Sequence, residues 1–562
     1  MPAPIADSVS VPAGTTLVRG GFAGIDTTPP TWGGATLQLS NLTSTSYTVT
    51  ASAGATDDTA VAGYEYSLNG GTTWIANGTS LVANISGRTP GSTDAFRYRA
   101  FDAAGNRSAL LALAVALVSS GPWSPVKALL QAASENSWIK LNLNFFSTAW
   151  PDVDYQPMMD SGRISSPGAI IVAWSSFALD DANGRIILFG GGHANTSDNS
   201  PYLWNASTRR WSQGFLPTDN VFSAVSGLWH NVESWQASPA SAHTYGNNAY
   251  LPVLNRFITF GGAAWNTGHA YFVTDSQGAE IRPLPCYTLD LTLAGLGYVG
   301  GSTGSNVKRN STAGLNLTGA NAWGPRDYLL DHPSTTATNF LRGHLEGFVA
   351  YRKENNHDVL YARCNPNVGG SADTLVRIEF VNNDYHNDLI SIVGTGAGSF
   401  HSDQGGALDS VNNVVLACGY PAQPIECWNL NTAGPANAIV NVPAADVGGA
   451  GKASYLAAMA AHFATRPQSS GMGVLFDVER ARFVMWGGLA QLWTTSTPSN
   501  LSTGWTIEQL PAAVSDPPQY TTETGVHGKW KYSAAMDCYI GVVNASNGDV
   551  WAYKPANWNP KG

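Results

Sequence analysis

Between residues 27 and 118 apolar and polar positions alternate in short runs, LQLSNLT, SYTVTASA, GYEYSLNGG, FRYRAFDAAGN and LLALAVAL, separated by Asn, Gly, Asp and Ser. Period-two alternation bounded by turn residues predicts half-buried strands, and strands at this regular spacing predict a small β-sandwich. From about residue 135 the pattern changes. Continuous apolar runs, too short for helices, replace the alternation: NGRIILFGGG (183 to 192), LNRFITFGG (254 to 262), HDVLYARCN (357 to 365), NNVVLACGY (412 to 420), RARFVMWGG (480 to 488) and MDCYIGVVN (536 to 544). Such runs predict strands covered on both faces. Each follows a shorter strand-like run that ends in a turn (WSSFALDDANG, NNAYLPVLN, GFVAYRKENNH, GGALDSVNN, GVLFDVERA, KWKYSAAMD), and most precede an aromatic strand (PYLWNASTRRW, HAYFVTDS, IECWNLNT, DVWAYKP).

Six repeats of one supersecondary unit result, at irregular spacing. The stretch from 265 to 340 leaves room for a seventh unit or an inserted loop. NSWIKLNLNFFSTAW and GAIIVAW, within residues 137 to 175, predict strands near the start, and the WAYKP at 551 is expected to complete a unit begun elsewhere in the chain, closing a ring. The expected division is an attachment segment (1–26), a sandwich (27–120), a linker (121–136) and the repeat region (137–562).

Composition agrees with an all-β chain: of 562 residues, 43% are hydrophobic and 12% charged, with 60 Gly, 19 Trp and 21 Tyr. The formal net charge of -10, with no basic block, excludes a nucleic-acid backbone as partner. No apolar run reaches the roughly eighteen residues of a membrane span, and MPAPIADSVSVPAGTT has neither the basic nor the apolar part of a signal peptide, so the expectation is a soluble protein made in the cytoplasm without conventional secretion. The five cysteines are too scattered for a disulfide framework or a metal pair and are expected to be buried; only Cys418 and Cys427 are near enough in sequence to bridge a hairpin.

Histidines recur next to the repeat strands. His193 and Asn195 follow the glycines of the first apolar run; His243 and Tyr245 precede a strand; His269 follows the second Gly-Gly; Arg342, His344 and Glu346 stand together; His401, Asp403 and Gln404 form another group, and His527 and Lys529 a last one. His462 fits this placement less well. Gly190 and Gly191 are read as architecture, at a place where a Cβ would not fit. If the loops converge, these residues line a polar funnel suited to ligand binding. No cofactor is expected; a metal ion at the funnel histidines has only the weak support of the His344–Glu346 spacing. For an enzyme, His243, Tyr245, Arg342 and Glu346 are the catalytic suspects, by eliminative cleavage of an acidic polysaccharide or, with Glu346, Asp403 or Glu523 as paired carboxylates, by glycoside hydrolysis.

YEYSLNGGTTW and FRYRAFDAAGNRS resemble fibronectin type III and related immunoglobulin-like modules. The repeat, of which RIILFGGGHANTSDNSPYLWNASTRRW (185 to 211) is the best example, resembles the kelch type of β-propeller repeat, and the region as a whole is similar to galactose-oxidase-like kelch proteins of bacteria and prophages. The resemblance implies an immunoglobulin/fibronectin III-like β-sandwich followed by a six- or seven-bladed kelch-like β-propeller. Tyr385-His386 resembles the ligand pair of the copper-radical oxidases, but it lies in an outer hairpin with no cysteine placed to cross-link a second tyrosine.

The function implied is that of a phage tail fibre or tail tip protein, a receptor-binding adhesin of the virion that recognises a host cell-surface glycan through its propeller and contacts other tail proteins through its N-terminal segment. A homo-oligomer is compatible with this. The alternatives are a tail-borne polysaccharide lyase or hydrolase with its site in the funnel, and a structural propeller at a protein interface.

Overall fold

A computed structural model describes residues 26–561 except 91, 118–120, 153–166, 226, 228, 232–234, 266–267, 269, 302–306, 309–315, 332–346, 365–373, 397–403, 467–469, 513, 516, 520–523 and 546. The chain is all-β and divides into two compact units between Ser120 and Gly121. The attachment segment expected at 1–26 falls, but for Asp26, outside the described residues.

The first unit is a sandwich of two antiparallel sheets. Leu37–Ser40, Tyr47–Ala51 and Val82–Ile85 form one; Ile75–Ala76, Val61–Ser67, Thr93–Asp102 and Leu111–Ala116 form the other. Alternation along the strands decides which side faces in. Along Thr93–Asp102 every second residue is buried, and Phe96, Tyr98 and Ala100 meet Tyr47, Val49 and Trp32 in the core. Asp94, buried on the same strand, is held by a bidentate contact from Arg88 and by the Tyr47 hydroxyl at 2.8 Å.

The second unit contains six four-stranded antiparallel sheets. Their first strands are Ser176–Asp180, Asn248–Leu251, Val349–Glu354, Gly406–Asp409, Gly473–Asp477 and Trp530–Ser533, and their second strands are Arg185–Phe189, Arg256–Thr259, His357–Cys364, Val414–Tyr420, Arg482–Trp486 and Cys538–Val543. We number the sheets 1 to 6 in that order. The second strands are the six apolar runs, and their burial explains why they are apolar throughout. Along Arg185–Phe189, Ile186 and Leu188 face a core shared with sheet 6, while Ile187 and Phe189 face one shared with sheet 2. Four further cores lie between sheets 2 and 3, 3 and 4, 4 and 5, and 5 and 6. Each sheet is thus sandwiched between its two neighbours, with sheet 6 against sheet 1.

Sheet 6 takes only three strands from the C-terminal region. Its fourth is Ser137–Lys140, which pairs antiparallel with Asp549–Lys554 and sets Trp138 opposite Tyr553. Hydroxyl and aspartate contacts add to the links at the ends of the first strands: Asp181 accepts from Ser533, Asp409 from Thr497 and Asp477 from Tyr539, each time between neighbouring sheets.

Several expectations change. Residues 121–136 are no linker: the helix Ser124–Ala132 buries Val126 and Leu130 in the core between sheets 1 and 6. GAIIVAW forms no strand but a tight 3-10 turn at Pro167–Ala169 followed by bends, with Ile170 and Ile171 in the same core. HAYFVTDS contributes Phe272–Thr274 to a separate hairpin with Glu280–Pro283, and the third strand of sheet 2 is Cys286–Leu289 instead. The 265–340 stretch is therefore an elaboration of sheet 2, and no seventh four-stranded sheet occurs among the described residues of the second unit. All five cysteines are buried and free, and Cys418 and Cys427 are not opposite each other: Cys418 pairs with Ile425 and Cys427 with Leu416.

Candidate functional site

The segments leading into the first strands of sheets 1, 2 and 6 meet at one end of the unit. The Tyr245 N–H donates to the Trp174 carbonyl at 2.6 Å, the Gly528 N–H to the Tyr245 carbonyl at 3.2 Å, and the Phe177 N–H to the Gly528 carbonyl at 3.4 Å. The glycines answer to this crowding. A Cβ on Gly192 would lie 2.2 Å from the Ser241 carbonyl oxygen, and one on Gly191 2.7 Å from the Thr196 methyl and 2.9 Å from the Ile170 Cα. Gly190 and Gly191 also have positive φ, 149° and 91°, so the run after the second strand of sheet 1 is architecture, and it brings His193 back to the convergence.

Four side chains at this end stand on left-handed backbone: Trp174 (φ 50°), His193 (53°), Tyr245 (47°) and His527 (48°). His193 and His527 are of a type that adopts this conformation more readily than most, whereas for the bulky Trp174 and Tyr245 it is uncommon. Each costs of order 1 kcal/mol or more, so the grouping of four is a local reservoir of strain, and such strain concentrates at functional sites.

The rings of these residues form a continuous series. Trp174 lies 4.7 Å from His243 between centroids, His193 5.4 Å from His243, His243 6.1 Å from Tyr245, and Tyr245 6.4 Å from His527. Arg466 stands over Trp174 at 5.1 Å, a cation–π contact. His243 Nε2 donates to Asn195 Oδ1 at 2.8 Å, His527 bonds the Thr524 carbonyl, and the Lys529 ammonium donates to the Ser175 carbonyl at 3.1 Å.

Burial sorts the series. His193 and Asn195 are exposed and Trp174 half-buried, whereas His243, Tyr245, Gln404, His527 and Lys529 are buried. Burial pushes the Lys529 amine down to about 7. It also lowers His462, which sits on the helix Lys452–Thr465 with Arg466 just beyond it and contributes a second, smaller lowering. Gln404 is fully buried just ahead of the first strand of sheet 4, and among the described residues neither end of its amide has a partner.

The residues expected to line one funnel thus separate into a solvent-facing pair, His193 and Asn195, and an inner group that ties the incoming segments together. His269, Arg342, His344, Glu346, His401, Asp403 and Glu523 lie outside the described residues. Tyr385-His386 begins the short 3-10 turn between the third and fourth strands of sheet 3, on the side opposite the first-strand starts. Trp174 and Arg466 escaped the sequence reading. Among the described residues the group of three acidic or histidine ligands close enough to share an ion is Asp26, Asp57 and Asp58, in the sandwich and not at the histidines.

No known protein family matches the chain, and no curated protein matches it. Among solved structures it is similar to chitinase ChiA74 from Bacillus thuringiensis, at 28% identity over 17% of this chain and 14% of that one, with a TM-score of 0.15. It is also similar to the 6th fibronectin type III domain of human fibronectin type III domain containing protein 3, at 25% identity over 16% of this chain and 88% of that domain, with a TM-score of 0.14. An auxiliary nutrient binding protein from Bacteroides thetaiotaomicron is matched over 93% of this chain and 97% of its own, at 8% identity and a TM-score of 0.23. TM-scores of this size mark no shared fold over the whole chain.

Proposed function

We propose that the second unit is a six-bladed β-propeller of kelch type and that its strand-start face recognises a cell-surface glycan, the whole chain serving as a receptor-binding protein of a phage tail with the fibronectin III-like sandwich as spacer. In favour of the propeller are the six inter-sheet cores, each shared by successive sheets, and the Ser137–Lys140 strand that completes sheet 6 from the other end of the chain.

The grouping of left-handed Trp174, His193, Tyr245 and His527 carries the functional reading. Strained side chains persist only where surrounding structure holds them, and here they present a half-buried indole beside exposed imidazole and amide groups. An aromatic face matches the apolar face of a pyranose, while His193 and Asn195 supply hydrogen bonds to its hydroxyls. Recognition fits better than catalysis, because His243 and Tyr245, the described suspects for a general base, are buried and engaged, and Lys529 has no surface through which to reach a substrate.

The test is to incubate the protein with host capsular polysaccharide and lipopolysaccharide and to read binding and chain length in the same sample. Saturable binding with unchanged polymer length is expected. Shortened products, above all ones with the ultraviolet absorbance of an unsaturated uronate, would replace recognition by a lyase; no binding to any surface glycan would remove the reading altogether.

A further inference from the structure

The six first strands enclose a cavity of about 590 Å³, within the range of small-molecule sites. At the strand-start end backbone hydrogen bonds narrow it: Gly528 bonds Tyr245, and the Gly246 N–H donates to the Gly347 carbonyl at 2.9 Å while its carbonyl accepts from the Val349 N–H at 3.0 Å. The lining extends the other way, to Ala182, Pro252, Ser410, Val478 and Ala534 just past the ends of the strands. The cavity therefore runs along the first strands and reaches the rim opposite Trp174 and His193.

Its wall is mostly apolar, with Leu179, Val349, Leu408, Leu475 and Phe476 among the lining residues. Two carboxylates on it are occupied. Asp180 binds Arg185 and Asn183, and Asp181 accepts from the Ser533 hydroxyl and, at 2.9 Å, from the Ala535 N–H. The tyrosine hydroxyls are engaged as well: Tyr250 on Asn255, Tyr351 on Asp358 and Tyr532 on Asp537. Lys531 is the one lysine or arginine among the lining residues, and among the described residues no carboxylate pairs with it. Burial alone lowers its amine, to about 8, which leaves it mainly protonated at neutral pH. Lys531 is half-buried, so its ammonium keeps part of its solvation, and an anion placed against it would gain a charge-assisted contact beside the apolar walls.

We propose that this cavity is a second ligand site, taking a small organic carboxylate whose anionic head pairs with Lys531 and whose apolar body lies against the walls. The proposal is independent of glycan recognition at the other face.

Calorimetric titration of the full chain with hexanoate, hexanamide and inorganic phosphate tests it. Saturable hexanoate binding is expected, with hexanamide and phosphate each weaker by at least about tenfold, since one lacks the charge and the other the apolar body. Lys531→Met should lose at least about tenfold in hexanoate affinity, Lys531→Arg should retain it, and Trp174→Ala should leave it unchanged. The acid-to-amide comparison needs no variant. Absence of saturable hexanoate binding, equal binding of hexanamide or of phosphate, or unchanged affinity in a folded Lys531→Met protein would each overturn the proposal.

Discussion

The Gly528 N–H donates to the Tyr245 carbonyl at 3.2 Å, joining sheet 6 to sheet 2 although sheet 1 lies between them in packing. This bond is possible because neither strand start carries bulk there. A Cβ on Gly528 would stand 2.5 Å from the Ser176 Cβ, 2.9 Å from the Gly246 Cα and 2.9 Å from the Tyr245 oxygen, mostly backbone that cannot rotate away. Gly528→Ala should therefore destabilise the second unit by about 1–3 kcal/mol, the usual range for overpacking. A chemical denaturation midpoint lowered without a change in the slope of the transition would bear this out; an unchanged midpoint would mean that the convergence yields.

The closing strand makes a separate prediction. Trp138 packs on Trp486 at 5.3 Å and Trp530 at 5.8 Å between centroids, so one side chain from the start of the unit holds sheets 5 and 6 together. Trp138→Ala should cost about 3–5 kcal/mol, and tryptophan near-ultraviolet circular dichroism should weaken with it. Were the Ser137–Lys140 strand peripheral, the variant would unfold like the parent.

How much of this was legible in the sequence depends on which physical force placed each residue. The six second strands were readable because burial on both faces demands unbroken apolar runs, and the first strands because each run is preceded by a turn. Phe272–Thr274 misled because an aromatic strand looks the same whether it extends a large sheet or forms its own hairpin. The helix Lys452–Thr465 went unread inside an apparently regular array of strands, although Tyr455 and Met459 lie four apart on its buried side. At the candidate site, His193 and Tyr245 stood out by residue type. Trp174 did not, since left-handed backbone at a tryptophan is imposed by the neighbouring segments and leaves no local signature. Arg466 is brought to it by the end of that same helix.

Lys529 gives the chain an unusual dependence on pH. Its amine titrates near 7 in the folded protein and near its ordinary 10.5 in the unfolded chain. Between those values the unfolded chain binds the extra proton, so stability rises with pH, at up to about 1.4 kcal/mol per pH unit for a single group. Lys531 acts in the same direction above pH 8. The buried thiols oppose both from about pH 9, because Cys286, Cys418 and Cys427 titrate well above their ordinary 9.0 in the fold and ionise first when unfolded. Melting temperature should climb from pH 7 to about 8.5 and then level or fall. Lys529→Met should flatten the climb and stabilise the protein at pH 7 by about 1–3 kcal/mol, the cost of a buried polar group lacking full compensation. A parent protein whose melting temperature is flat over this interval would place the Lys529 amine in contact with water.

The division of the candidate site into outer and inner residues predicts two classes of variant. His193 and Asn195 face solvent, so glycan affinity should drop by about five- to tenfold in His193→Ala and in Asn195→Ala, the loss of one or two hydrogen bonds, with the melting temperature of His193→Ala within a degree or so of the parent and that of Asn195→Ala lower. Asn195 also accepts from His243, which makes its variant the more sensitive of the two to loop rearrangement. His527 is buried and bonded to the Thr524 carbonyl, so His527→Ala should act chiefly on stability, by about 1–3 kcal/mol, and on affinity only through the fold. Trp174 belongs to both classes: half-buried beneath Arg466 and beside His243, it offers the ring a sugar would stack on, and its loss also removes that support. Parallel measurement of binding and melting temperature across these four variants separates recognition from scaffolding. If all four lose stability and affinity in proportion, the face is a structural junction and the glycan site lies elsewhere on the chain.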